Sequence, residues 1–373
     1  MKIAYIVDGD PNNNRLWSGT VTAIYKSITK KYDVEVIDVS KKSRIILLAY
    51  KLFGKLTRFF TGKKFYASFG KWAAKSESRR VTRYLRGRAD IDLVLCAAKG
   101  GSIAYARTDK RIVYLTDATF DSMHGYYNYL TNLSKTTVRD ANEIESRAIA
   151  KSSLVICASE WAKRSVVTVY GKHEDEVAVL PFGANLKEVP EPSVSGDTFN
   201  ILFCGVEWRR KGGDIAVDAF LELKKRHSEA RLYLVGCKPE REITDSDIVE
   251  VGFLNKNKPD ERARLDEIYK NASLLLLPTR AEAAGIVFAE ASAHAIPSVA
   301  TDTGGVGTYV IDGENGYKLP LSATAEDFAD KITEIIENKT LYEHLKKRSR
   351  ELYFERYSWD AWLDSFSLLV EKE

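Results

Sequence analysis

Glu282 and Glu290, eight positions apart, are the residues of this chain whose chemistry is easiest to state. A carboxylate accepts hydrogen bonds from sugar hydroxyls, and its charge makes those bonds stronger than neutral ones. The residues between them, Ala283-Ala-Gly-Ile-Val-Phe-Ala289, read as the opening of a helix near Gly285. Eight residues of helix span about 12 Å, roughly the reach from a sugar across a diphosphate to a ribose. The backbone N–H groups of Ala284, Gly285, Ile286 and Val287 would lie at the positive end of that helix, where unpaired donors and the helix dipole hold anions. A second group of the right type is Arg209-Arg210-Lys211, which follows the apolar run Ile201-Leu-Phe-Cys-Gly205. In open α/β sheets ligands bind beyond the carboxyl ends of strands, and three adjacent cations there suit a diphosphate.

These residues need a scaffold, and the pattern supplies one. Short β-rich runs alternate with helical periods, which predicts parallel sheets flanked by helices. The expected strands of the first half are 2–7, 34–38, 92–97, 112–116, 154–158 and 177–180. Those of the second half are 199–204, 231–235, 248–251, 273–277, 297–301 and 316–319. The fold class is therefore α/β, with two doubly wound halves. Lys187 to Asp197 carries two prolines and small polar residues and reads as a linker. Ser358 is a suitable N-cap for a last amphipathic helix.

Taken in order, these motifs resemble the donor site of retaining GT-B glycosyltransferases, and most of all glycosyltransferase family 4 (group 1). The resemblance rests on Glu282, Gly285-Ile-Val287, Glu290 and Gly304-Gly305, with Gly205 and Arg210-Lys-Gly212 upstream. It is strongest over residues 200–320 and looser before 110. It implies two Rossmann-like domains facing a central cleft. The expected boundaries are an acceptor-side domain at 1–186, a linker at 187–197, a nucleotide-sugar domain at 198–352, and a segment 353–373 whose helix crosses back onto the first domain.

The resemblance also implies roles. Arg210 and Lys211 would neutralise the leaving diphosphate, with Arg209 as the alternative arginine. Glu282 would hold the transferred sugar and Glu290 the ribose. Phe253 and Leu254, in Val251-Gly-Phe-Leu-Asn255, would pack on the nucleobase. Gly19, in Ser18-Gly-Thr20, would belong to a small-residue loop facing the donor phosphate. Asp117 stands where many members carry a histidine and would bond a donor hydroxyl, with His124 seven residues on. The usual Gly-Arg pair is Gly205-Val206 here, so that arginine is absent. The implied reaction is retaining, front-face transfer of a hexose-type sugar from a UDP- or GDP-sugar to a hydroxyl acceptor. It needs no protein nucleophile, no cofactor and no metal. A GT-B binding subunit without turnover, an epimerase and a phosphorylase stay open beside it.

Composition narrows the field. The chain has 373 residues, 45% hydrophobic and 29% charged, as expected of a globular protein of two domains. No run of 18 apolar residues occurs, and the start does not read as a signal peptide. The four cysteines lie in or at the ends of apolar runs without metal-ligand spacing and read as reduced, which suits the cytoplasm. Five histidines show no zinc spacing, and no Gly-x-Ser-x-Gly elbow or phosphate-binding Gly-Lys-Ser/Thr loop is present.

The charge is uneven. Residues 41–88 hold 15 Lys or Arg and one acid, Glu77, whereas the rest holds 41 basic and 51 acidic residues. Within this segment Lys51, Lys55 and Arg58 recur at helical spacing among leucines and phenylalanines. Such a helix suits either an anionic leaflet at the inner face of a cell membrane, with a lipid-linked acceptor, or packing on its own domain. No nucleic-acid motif accompanies the charge, which disfavours that partner.

Overall fold

The structure, a computed structural model, describes residues 1–41, 43–194, 196 and 198–371. Lys42 of the basic segment, Ser195 and Asp197 of the expected linker, and Lys372 and Glu373 of the last segment lie outside the described residues. The chain divides into two compact units, Met1–Leu180 and Pro181–Glu373.

The first unit is built on β1 (Lys2–Val7), β2 (Asp33–Asp38), β3 (Leu93–Ala97), β4 (Arg111–Thr116), β5 (Leu154–Cys157) and β6 (Val177–Val179). They form one parallel sheet in the order β2-β1-β3-β4-β5-β6. The second unit holds β7 (Asn200–Cys204), β8 (Arg231–Val235), β9 (Ile248–Gly252), β10 (Leu274–Leu277), β11 (Ser298–Thr301) and β12 (Gly316–Leu319). These are also parallel, in the order β12-β11-β10-β7-β8-β9. All twelve expected strands occur, with ends shifted by a residue or so.

Continuous apolar runs make these strands because helices cover both faces of each sheet. Leu274 to Leu277 are all fully buried, as are Ile3 to Ile6. Each buried leucine or isoleucine among them contributes about 2 kcal/mol of burial free energy. In each sheet the order reverses once, between β1 and β3 in the first and between β7 and β10 in the second. In open α/β sheets such a reversal is where ligands bind, beyond the carboxyl ends of the strands.

Helix starts follow local chemistry. The hydroxyls of Ser134, Ser159 and Ser358 accept from the third helical N–H of Lys135–Lys151, Glu160–Thr168 and Trp359–Val370. The expected cap at Ser358 is thus present. Trp359 stacks on Phe182, and its indole N–H donates to Asn185 Oδ1 at 3.2 Å.

The segment between β2 and β3 is helical. It contains Arg44–Thr61 and Lys71–Leu85. Tyr50 stacks on Trp72 at 5.6 Å, and its hydroxyl accepts the Trp72 N–H at 2.8 Å. Gly70 is needed where the chain turns between the helices, because a Cβ there would lie 2.3 Å from the Tyr50 ring. Among the described residues no helix is long and apolar enough to cross a membrane.

Candidate functional site

At the β7/β10 reversal two loops are joined by hydrogen bonds. The Arg280 N–H donates to the Arg210 carbonyl at 2.7 Å, and Arg210 Nη1 donates to the Ala281 carbonyl at 2.9 Å. The three cations Arg209, Arg210 and Lys211 sit on a single helical turn, Trp208–Lys211, anchored by buried Trp208. It ends in Gly212 at φ 75°, and the next helix, Gly213–Lys224, follows directly. A Cβ on Gly212 would lie 1.9 Å from the Pro278 carbonyl oxygen, so only glycine lets this turn sit against the end of β10. Gly205 serves similarly, since a Cβ there would lie 2.6 Å from the Lys211 stem.

This packing carries Lys211 to Glu282. Lys211 Nζ donates to Glu282 Oε2, Arg210 Nη1 lies 3.8 Å from the same oxygen, and the Gly285 N–H reaches Glu282 Oε1 at 3.3 Å. The side chains of Lys211 and Glu282 are only 10% and 12% exposed. Burial alone would push the Glu282 carboxyl up. The charge and hydrogen bond of Lys211, then Arg210 and the Gly285 N–H, outweigh burial and hold it below the usual carboxylate range. The loop after β11 closes on the same residue, where the Gly305 N–H donates to the Glu282 carbonyl at 2.8 Å.

The expected helix runs Ile286–Ala293, with Gly285 as N-cap at φ 67°. By helix geometry the N–H groups of Ile286 and Val287 have no intrahelical acceptor, and Ala284 leads into them. Glu290, one turn before the helix end, is buried. Its Oε1 accepts from Lys256 Nζ, its Oε2 from the Tyr269 hydroxyl at 3.3 Å, and its carbonyl faces His294 Nδ1 at 2.9 Å. His294 is the expected packing residue, stacked on Tyr269 at 4.8 Å.

The two arginines part. Arg210 belongs to the Glu282 cluster. Arg209 is 83% exposed and pairs with Glu240, its Nε 2.6 Å from Glu240 Oε2. Phe253 and Leu254 follow β9, with Phe253 largely exposed, shortly before Lys256. Lys256 escaped the sequence reading although it directly follows the Val251–Asn255 turn; the signal available was its place just beyond a strand end.

The first unit has its own cluster. Gly19, at φ 89°, caps the helix Thr20–Ile28. Before it, Trp17 and Ser18 adopt left-handed φ of 48° and 56°, rare for residues bearing a Cβ. This turn aims the Trp17 indole N–H at Asp117 Oδ2, 3.0 Å away beyond β4. Gly19 and Asp117 therefore meet through Trp17, whereas exposed His124 stacks on Phe120. At the β1/β3 reversal, Lys99 Nζ lies 3.2 Å from Asp8 and 3.7 Å from Glu77. Lys99 was also missed, though Lys99-Gly-Gly101 stands just past β3. Cys96, Cys157, Cys204 and Cys237 are all free thiols.

Residues 187–352 match the family model described as Glycosyl transferases group 1. An uncharacterized glycosyltransferase of Methanocaldococcus jannaschii is 29% identical over 216 residues, 57% of this chain and 58% of that protein. The match thus spans less than two thirds of that relative. Among solved structures, a sucrose-phosphate synthase of Thermosynechococcus elongatus superposes with a TM-score of 0.68 at 16% identity, over 100% of this chain and 98% of that one. Anabaena HepE in complex with UDP-glucose gives 0.64 at 16% identity, over 100% and 99%. These two likenesses carry the fold. Residues 187–352, a little under half of the chain, are thus similar to the group 1 glycosyltransferases, and the chain has the GT-B fold of two Rossmann-like units.

Proposed function

We propose that this protein is a retaining glycosyltransferase that moves a hexose-type sugar from a nucleoside diphosphate sugar to a hydroxyl acceptor. The observation that carries the reading is the buried Lys211–Glu282 contact, flanked by Arg210 and the start of the Ile286–Ala293 helix. Lys211 and Arg210 stand ready to receive a diphosphate whose charge grows as the sugar leaves, an electrostatic role held in advance by the fold. Displacing Lys211 towards the phosphate frees Glu282 for sugar hydroxyls. Glu290 takes the ribose, exchanging its bonds to Lys256 and Tyr269 for ribose hydroxyls. Phe253 and Leu254 flank the base, and Gly19 and Asp117 belong to the donor-phosphate and sugar side of the first unit. These cations and N–H groups supply the charge that a metal would otherwise supply, so transfer is metal-independent. HepE has been solved with UDP-glucose, which favours UDP over GDP as the carrier. The acceptor is lipid-linked, met from the cytoplasmic side at the inner face of a cell membrane.

The test is isothermal titration with UDP and with UDP-hexoses, followed by donor turnover in excess chelator. Glu290→Ala should weaken free UDP about tenfold, the worth of one charge-assisted bond. Glu282→Ala should bind free UDP normally and lose turnover. Equal loss of UDP affinity in both would refute the assignment, as would turnover restored only by added divalent metal. Binding without any donor hydrolysis or transfer would make the protein a binding subunit.

A further inference from the structure

We propose that the helix Arg44–Thr61 is an in-plane anchor whose outer face enters the acyl layer of an anionic leaflet, with a row of cations seated on the lipid phosphates. The helix has three faces. The inner one is a mount: Tyr50 packs on Trp72, and Phe53 meets Phe65 edge-on at 4.9 Å. The following turn is fixed by a short ladder, with the Lys64 N–H donating to the Asn132 carbonyl and the Ser134 N–H to the Lys64 carbonyl, both at 2.8 Å.

The second face is apolar and faces outward. Ile45, Leu48, Leu52, Leu56 and Phe59 recur at steps of three and four, which aligns them along one side of a helix. Ile45 is 80% exposed, Leu52 62% and Phe59 82%, and Phe60 beside them 75%. A typical monomer's largest apolar patch is roughly 300–600 Å². A contiguous exposed apolar stripe of this kind marks a protein or membrane interaction surface.

The third face is the cation row. Lys51, Lys55 and Arg58 each precede a stripe residue by one position, so the row runs beside the stripe for its length. All three are exposed, and none forms an ion pair among the described residues. At the end of the helix the stripe continues into a groove of about 620 Å³ lined by Phe53, Leu56, Phe60 and Leu133, with Lys63 and Lys135 among its residues.

Charge selects the occupant. A second copy laid stripe to stripe would bring two such rows together in a segment with one acidic residue. A nucleic acid offers nothing to the aliphatic stripe. A leaflet with anionic headgroups matches both rows at once, apolar side chains below and phosphates at the level of the cations. The anchor rests on the proposed function only in giving the lipid-linked acceptor its meeting place.

The experiment is flotation of the full chain with phosphatidylcholine vesicles, with and without phosphatidylglycerol, in the absence of donor and acceptor. Binding is expected on anionic vesicles and should fade with salt. Lys51→Ser/Lys55→Ser/Arg58→Ser should weaken it about 100-fold, taking about 1 kcal/mol per cation near the surface. Leu52→Ser/Phe59→Ser should weaken it at least tenfold with the cations intact. Both variants should melt with the wild type and keep its UDP thermal shift, which separates failure of the anchor from failure of the donor site. Wild-type protein left unbound at low salt overturns the proposal. So does unchanged binding by the triple variant, or a stripe variant whose sole effect is to convert a dimer to monomer.

Discussion

Replacing Lys211 by methionine should separate the stability of the site from its chemistry. Methionine keeps the buried stem but leaves the Glu282 carboxylate, 12% exposed, without its ammonium partner. Stripping one partner from a buried ion pair costs about 3–5 kcal/mol. Glu282 keeps Arg210 at 3.8 Å and the Gly285 N–H at 3.3 Å, so the expected loss is nearer 2–3 kcal/mol. At roughly 2–4 °C per kcal/mol this is a clear fall in melting temperature. The loss has a pH signature. In the wild type the Glu282 carboxyl is held below its usual range, so the pair's stability is full above the unfolded pKa and is lost as pH falls through the folded one. Without Lys211 that depression goes, and the gap between variant and wild type should narrow in acid. Adding Glu282→Gln to Lys211→Met removes the unpaired charge and should recover most of the stability. Turnover should stay down about 100- to 1,000-fold in both, the usual cost of losing one preorganised donor to a developing charge. Urea denaturation across pH and initial rates with saturating donor make the test. A double variant as unstable as the sum of the two single changes would refute the coupling, and wild-type turnover in Lys211→Met would remove it from the chemistry.

Gly212→Ala should destabilise the second unit by more than about 2 kcal/mol and abolish the UDP thermal shift, because positive φ and a 1.9 Å approach to Pro278 both forbid the Cβ; a normal melt would refute the steric account. Glu145, which accepts from the Tyr114 hydroxyl at 3.0 Å, has its carboxyl pushed up to about 7 by burial, with the Asp117 charge adding to the rise. Folded-state stability should therefore fall as pH rises from the ordinary glutamate range to about 7 and level off above it. Glu145→Gln should flatten that slope in thermal melts, and an unchanged slope would assign it to other groups.

The strands could be read from the sequence because their cause is local. A run such as Leu274 to Leu277 is apolar at every position since both faces of its sheet are covered, and that pattern survives without the partner strands. The N-cap at Ser358, the helix start at Gly285 and the spacing of Glu282 to Glu290 are likewise settled within a few residues of chain.

Other features depend on strand order, which no local pattern encodes. Lys211 meets Glu282 across 71 positions only because β10 returns to the side of β7 opposite β8. The same return gives Arg210 to the site and leaves Arg209 to Glu240, although the two arginines are neighbours in sequence. Lys256 reaches Glu290 over 34 positions, and the Trp17 indole reaches Asp117 over 100, through a left-handed turn that propensity disfavours. In the basic segment the sequence set the cation and apolar rows, since both follow from helical period. That neither row faces the protein was decided by Tyr50, Phe65 and Trp72, whose packing gives the helix a separate inner face and leaves the apolar stripe outward.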